Sequence, residues 1–164
     1  MLIDRPGSVQ SAIRLGRPAI AATHADYLPL QLAGAVLGSG FSSRLMQKLR
    51  EDEGYTYSAR GGLNALHAGG RVTASADVRV TGAALREFLA ELRRMGEEPV
   101  PMQELADTKR YLGGGYLISH QMQGAVVALL ANNWLIGLPA EFLGQYVPSI
   151  RAVNAAQVQA MGRR

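Results

Sequence analysis

Hydrophobic and polar residues alternate most cleanly over residues 71–80. There Val72, Ala74, Ala76, Val78 and Val80 interleave with Arg71, Thr73, Ser75, Asp77 and Arg79. A period of two places the first set on one face of a strand and the second on the other, so a strand packed on one side and wet on the other is predicted. Residues 55–66 read as a second long strand. His67-Ala68-Gly69-Gly70 supplies the turn between them, giving an antiparallel hairpin with one open face. Residues 8–15, with Val9, Ile13 and Leu15 among small polar neighbours, read as an earlier strand.

The remaining pattern is helical. From Asp26, the residues Leu28, Leu30, Leu32, Ala33, Val36 and Leu37 fill most of two helix faces, which predicts a largely buried helix stopped by Gly38-Ser39-Gly40. A second helix starts at once, with Ser42 or Ser43 as N-cap, Leu45 and Leu49 on one face, and Gly54 as a left-handed terminator. Residues 82–95 form an amphipathic helix with Leu85, Phe88, Leu89 and Leu92 on its stripe and Thr81 as a candidate cap. Glu97-Glu98-Pro99-Val100-Pro101 breaks it. Beyond Met102 the pattern is helical to the end, punctuated by glycines and prolines. Strands gathered early and helices late predict an α+β fold, a two-layer sandwich with helices on one face of a mainly antiparallel sheet.

Length and composition narrow the class. With 164 residues, 48% hydrophobic and 18% charged, the chain has the size and apolar content of one folded domain. The absence of Cys removes thiol nucleophiles, iron–sulfur clusters and disulfide scaffolds. The apolar stretch of residues 124–138 contains Asn132 and Asn133 and is too short to cross a bilayer, so no membrane span is expected. The net charge of +4 is scattered along the sequence as Arg14, Arg17, Arg60 and Arg71 rather than striped, and a nucleic-acid partner is not expected.

Candidate chemistry is reached mostly by elimination. His24, His67 and His120 lie far apart and none has metal-ligand spacing, so no metal is expected on this chain. Ser42-Ser43 follows a glycine turn but does not meet G-x-S-x-G, and a capping role fits better. Gly113-Gly114-Gly115 is not followed by G-K-[ST], so it reads as a kink or close helix crossing rather than a phosphate loop. Trp134, among Leu129, Leu130, Leu135 and Ile136, reads as core.

One segment carries more. Residues 38–57, GSGFSSRLMQKLREDEGYTY, contain G-x-G-F-S-S-R-L, then L-R-E, then G-x-x-Y at the opening of a strand. This resembles the M16 zinc metallopeptidases, the pitrilysin, insulysin and mitochondrial processing peptidase group, and specifically the second, non-zinc-binding domain of their paired halves. Supporting matches are Arg5-Pro6-Gly7-Ser8-Val9-Gln10-Ser11 at the start, and Gly137-Leu138-Pro139 with Ile150-Arg151-Ala152-Val153-Asn154 in the late helices.

The resemblance implies a LuxS/MPP-like metallohydrolase fold and a single domain over residues 1–164 that lacks the zinc-binding half and a last strand. It implies a non-zinc half of a metalloendopeptidase that shapes the substrate chamber, with zinc held by an H-x-x-E-H partner domain in the same polypeptide or a separate subunit. In the family an Arg and a Tyr seven residues apart reach the zinc site of the other half, and the matching positions are Arg50 and Tyr57. Their implied roles are binding the substrate carbonyl and stabilising the tetrahedral oxyanion. Rival structural roles are a cation at a helix end for Arg50 and strand-face packing, in parity with Tyr55, Ala59 and Leu63, for Tyr57.

The wet face carrying Arg71, Thr73 and Ser75, with Asp77 and Arg79, is a candidate chamber wall that binds unfolded peptide, with an edge strand there able to pair with an extended substrate. An uncovered sheet edge also implies a tendency to self-associate as a homo-oligomer. The alternative is a catalytically inactive structural or peptide-binding module of the same fold. A periplasmic location is favoured if the source is bacterial.

Overall fold

The computed structural model describes residues 7–163, so Arg5 and Pro6 of the opening match lie outside the described residues. Three strands form one antiparallel sheet in the order β1-β3-β2. They are β1 (Ser11–Ala19), β2 (Ala59–Ala65) and β3 (Gly70–Val78). The central strand β3 sets Ile13 of β1 and Ala59 of β2 opposite Ala76, and Arg17 and Leu63 opposite Val72. Its alternation is as the sequence predicts: Ala74, Ala76 and Val78 are buried, while Arg71, Thr73 and Asp77 are exposed. Val80 lies beyond the strand end and is exposed, because the chain there turns into the next helix.

Seven α-helices among the described residues pack on the buried face or extend from it: α1 (Tyr27–Gly38), α2 (Arg44–Met46), α3 (Thr81–Glu97), α4 (Met102–Ser119), α5 (Gln123–Leu135), α6 (Phe142–Ala152) and α7 (Ala155–Gly162). The α+β two-layer expectation therefore holds. The core joins Leu32, Val36, Leu45, Leu49, Val78, Phe88, Ile150 and Val158, all inaccessible or nearly so. Burying each such aliphatic or aromatic side chain stabilises the fold by about 2 kcal/mol. Leu89 departs from the predicted stripe and is exposed, since α3 meets the sheet and α7 through Ala84, Phe88 and Met95 instead.

Helix α1 lies unusually close to β2. Gly34 and Gly38, one turn apart, face Gly61 and Gly62, and a Cβ on Gly38 would stand 2.1 Å from the Gly61 nitrogen. Gly38 is thus a contact surface inside the last turn of the helix, and Gly40, at φ +83°, makes the left-handed exit. Gly113 meets Val147 of α6 at ordinary contact distance, Gly114 and Gly115 face open space, and α4 runs through the three glycines without a break.

An aromatic series ties α1, α4 and α6 together. Ring centroids are 6.3 Å apart for Tyr27–Phe142, 6.0 Å for Phe142–Tyr146 and 4.3 Å for Tyr146–Tyr116. The Tyr116 hydroxyl donates to the Leu143 carbonyl, and Lys109 of α4 donates to the carbonyls of Arg151 and Val153 at the end of α6. Burial pushes the Tyr146 phenol up to about 12 from 10.0. An unfolded chain ionises this tyrosine first, so its contribution is intact below pH 10.0 and is lost as pH rises toward about 12. Thermal melts should fall over that window, and Tyr146→Phe should flatten the decline; an unchanged slope would mean that Tyr146 is not the group responsible.

Trp134 is not core. It is 78% exposed, with Val127 and Leu135 also open. Helix α5 buries Asn133 and half-buries Val126, Leu129 and Leu130, and Ile136 follows it into the protein, but the side carrying Val127, Trp134 and Leu135 is exposed. Apolar residues on a helix say that a face is greasy without saying that a second element covers it.

Candidate functional site

The chain between α1 and β2 is built to carry exposed groups on a fixed base. Ser39 closes α1, its N–H donating to the Ala35 carbonyl, and Gly40 redirects the chain. Ser43 stands at the N-cap position of α2 in extended conformation, but its hydroxyl donates to the Gly40 carbonyl at 2.8 Å rather than accepting from the helix. Leu45 and Leu49 bury fully, as their spacing predicts.

After Met46 the helix widens into a π-helical segment, Gln47–Asp52. Glu53 N–H reaches back to the Lys48 carbonyl, and Gly54 at φ +64° ends the segment as expected. Inserted π turns are rare and recur at functional sites. Here the widened turn carries Arg50. The segment is tied to β2 by Ala59 N–H donating to the Met46 sulfur at 3.2 Å.

Arg50 and Tyr57 are brought together. The Arg50 guanidinium carbon is 5.0 Å from the Tyr57 ring centroid and 5.5 Å from that of Phe41, so the cation lies against two aromatic rings. Arg50 also makes an ion pair with Glu51 at 3.4 Å. The predicted strand over residues 55–66 starts only at Ala59, and Tyr57 precedes it with 84% of its surface exposed, so strand-face packing does not explain Tyr57. Phe41, 78% exposed, is the member that sequence reasoning missed. Its signal was a bulky aromatic between Gly40 and Ser42, where a loop has no core to fill.

Beneath this group, Lys48 donates to Glu53 at 2.8 Å and lies 3.7 Å from Glu87. The Lys48 hydrogen bond, with that of the Tyr55 hydroxyl, holds the Glu53 carboxyl below its ordinary range, and Glu53 in turn raises Lys48. Arg44, in the turn before Arg50, makes a bidentate pair with Glu104 in the first turn of α4, at 2.8 and 2.9 Å. The Arg44 side chain is only 5% exposed.

Arg71, Thr73 and Ser75 project from the face of the sheet opposite the core. Arg14 and Arg60 flank Ser75 from β1 and β2, so arginines scattered in sequence share one face. Arg14 is paired with Asp77 at 3.0 Å. Since β3 is bonded on both sides, its backbone is used up; the free edges are β1 and β2, and residues 71, 73 and 75 offer only side chains. Arg71 pairs with Asn64 near the hairpin turn, about 20 Å along β3 from the end nearest Tyr57, whereas Ser75 pairs with Arg60 close to that end, so Arg71 is separate from the Arg50 pair.

No group of three or more metal-ligating side chains occurs among the described residues. His24 lies beside Asp26 at 3.7 Å and His120 against Tyr116, whose ring centroid is 4.5 Å away. The residues present do not fit a zinc ligand set. No helix among the described residues is long and apolar enough to cross a membrane.

The family model described as the peptidase M16 inactive domain matches residues 2–112. The chain belongs to that family. As an M16 inactive domain it resembles the Bacillus subtilis protein named uncharacterized zinc protease YmxG, at 25% identity over 94% of this chain and 38% of that protein. It also resembles the Helicobacter pylori protein named non-peptidase homolog YmxG, at 28% identity over 75% of this chain and 29% of the relative. The M16 inactive-domain crystal structure from Pseudomonas fluorescens superposes with a TM-score of 0.86 at 25% identity, covering 94% of this chain and 37% of that one. An H. pylori protease structure shares the fold, with a TM-score of 0.87 at 18% identity, over 97% of this chain and 39% of that one. The M16 inactive domain described here thus spans well under half the length of these relatives.

Proposed function

We propose that this domain is the non-zinc half of an M16-type zinc metalloendopeptidase, walling the substrate chamber and presenting Arg50 and Tyr57 to the zinc site of an H-x-x-E-H partner domain. One observation carries the reading: a guanidinium on a π turn anchored by the fully buried Leu49, held against an exposed phenol. Arg50 and Tyr57 are hydrogen-bond donors brought side by side, the guanidinium set by the turn and by its contact with the two rings. Such preorganised donors stabilise a peptide carbonyl as it becomes a tetrahedral oxyanion, because no reorganisation is needed as charge develops. Arg71, Thr73 and Ser75 then face an unfolded peptide in the chamber, where Arg60 and Arg71 favour carboxylate-bearing segments.

The competing reading is an inactive structural or peptide-binding module, favoured by the name of the H. pylori relative. A quenched-fluorescence peptide assay separates the two, using this chain mixed with a separately supplied zinc-loaded H-x-x-E-H half. The expected result is cleavage only in the mixture, with Arg50→Ala and Tyr57→Phe each lowering kcat/KM about 100-fold while zinc content and complex formation stay unchanged. A stable zinc-loaded complex without cleavage would overturn the peptidase reading and leave the structural module.

A further inference from the structure

Phe41 is a bulky apolar side chain left exposed on a loop that is itself held in place. Gly40 before it takes φ +83°, and the Tyr111 ring of α4 stands behind that glycine, 3.2 Å from where a Cβ would lie. The hydroxyl of the buried Ser43 donates to the Gly40 carbonyl. The loop so fixed sets the Phe41 ring against the Arg50 guanidinium, 5.5 Å from the centroid, with the Tyr57 ring at 5.0 Å. Arg50 also has a competitor for its N–H groups, the neighbouring Glu51. Their ion pair is loose, at 3.4 Å against 2.8 Å for the pairs that Arg44, Lys48 and Arg94 make with Glu104, Glu53 and Glu98. A carboxylate takes up guanidinium N–H donors, whereas a ring face attracts the cation as a whole.

We propose that Phe41 is a positioning residue of the site: its ring holds the Arg50 guanidinium off a tight pair with Glu51, so that the N–H donors stay free for a peptide carbonyl. The inference rests on the reading of Arg50 as the carbonyl-binding donor. Tyr57 has a hydroxyl of its own to present, whereas Phe41 has no polar side-chain atom and acts only through Arg50. Without the Phe41 ring, Arg50 closes onto Glu51 part of the time, and each closed molecule lacks the preorganised donor. An exposed cation–π contact shifts such an equilibrium about two- to fivefold. The effect is therefore of that size, well short of the loss from removing Arg50 itself.

Two readouts test this. In the chain alone, NMR follows the Arg50 Nε–Hε resonance, which moves downfield when a carboxylate accepts from it. Phe41→Leu keeps an apolar side chain but has no π face, and is expected to move Hε downfield; Phe41→Tyr should leave it in place. Adding Glu51→Gln to Phe41→Leu should reverse the shift, which a mere loss of ring current would not do. In the mixture with the zinc-loaded H-x-x-E-H half, Phe41→Leu is expected to lower kcat about threefold with KM within about twofold. Phe41→Tyr should keep the wild-type kcat, and Glu51→Gln should recover most of the Phe41→Leu loss. Phe41 is exposed, so an unchanged thermal melt verifies that each variant is folded. An Hε shift that Glu51→Gln fails to reverse would overturn the proposal, as would equal kcat for Phe41→Leu and wild type. If the wild-type mixture cleaves nothing, the peptidase reading fails, and the Hε shift alone decides whether Phe41 places Arg50.

Discussion

Gly38→Ala is expected to destabilise the fold by about 3 kcal/mol, the upper end of ordinary overpacking. A Cβ at this position would sit 2.1 Å from the Gly61 nitrogen and 2.4 Å from its Cα. Those atoms are backbone, so no rotamer change relieves the clash and either α1 or β2 must move. Moving β2 disturbs its register with β3 and shifts the start of the strand that follows Tyr57. Moving α1 disturbs Leu32 and Val36, which are fully buried. Two alanine substitutions grade the result. Gly34→Ala, whose Cβ would lie 3.1 Å from Gly62 Cα, should cost about 1 kcal/mol. Gly114→Ala meets open space within α4 and should stabilise by about 0.5–1 kcal/mol through helix propensity. Urea denaturation midpoints give the order. If Gly38→Ala behaves like Gly114→Ala, the helix and strand are not in contact.

The same pair of glycines shows what a sequence can and cannot convey. In the pattern Gly38 reads as a helix terminator, and it does end α1, but its stronger constraint is contact with a strand more than twenty residues away. Nothing local announces that partner. Periodic features were legible: the alternation of β3, the burial of Leu45 and Leu49, and the left-handed Gly54 are each fixed by a neighbour within a few residues. Tyr57 was legible as a position but not as a conformation. Its parity suits a strand, yet the π segment delivers the chain to the sheet only at Ala59, and the inserted turn has no sequence period. Phe41 joined the candidate site only when the chain folded its loop over Arg50. Trp134 failed in the opposite direction, since apolar content does not reveal whether a helix has a neighbour on that face.

Glu104→Ala is expected to cost about 3–5 kcal/mol, the range for removing one partner of a buried ion pair. The pair is asymmetric. Arg44 has 5% of its side chain exposed and Glu104 has 26%. The Arg44 Nη1 already has no hydrogen-bond partner, and among the described residues Glu104 is the carboxylate that hydrogen-bonds the guanidinium and offsets its desolvation. Removing the carboxylate strands a buried cation that cannot lose its proton. Removing the cation instead, as in Arg44→Met, leaves a carboxylate that water can reach, and an apolar chain in the cavity. That change should cost less, about 1–2 kcal/mol, and Arg44→Met combined with Glu104→Leu should recover part of the Glu104→Ala loss. The consequence reaches the candidate site, because Arg44 opens the short helix that continues directly into the π turn carrying Arg50. Glu104→Ala should therefore loosen the placement of Arg50 as well as lower the denaturation midpoint. Equal losses for Glu104→Ala and Arg44→Met would mean that solvent reaches the Arg44 guanidinium, and the pair would then be worth no more than a surface salt bridge.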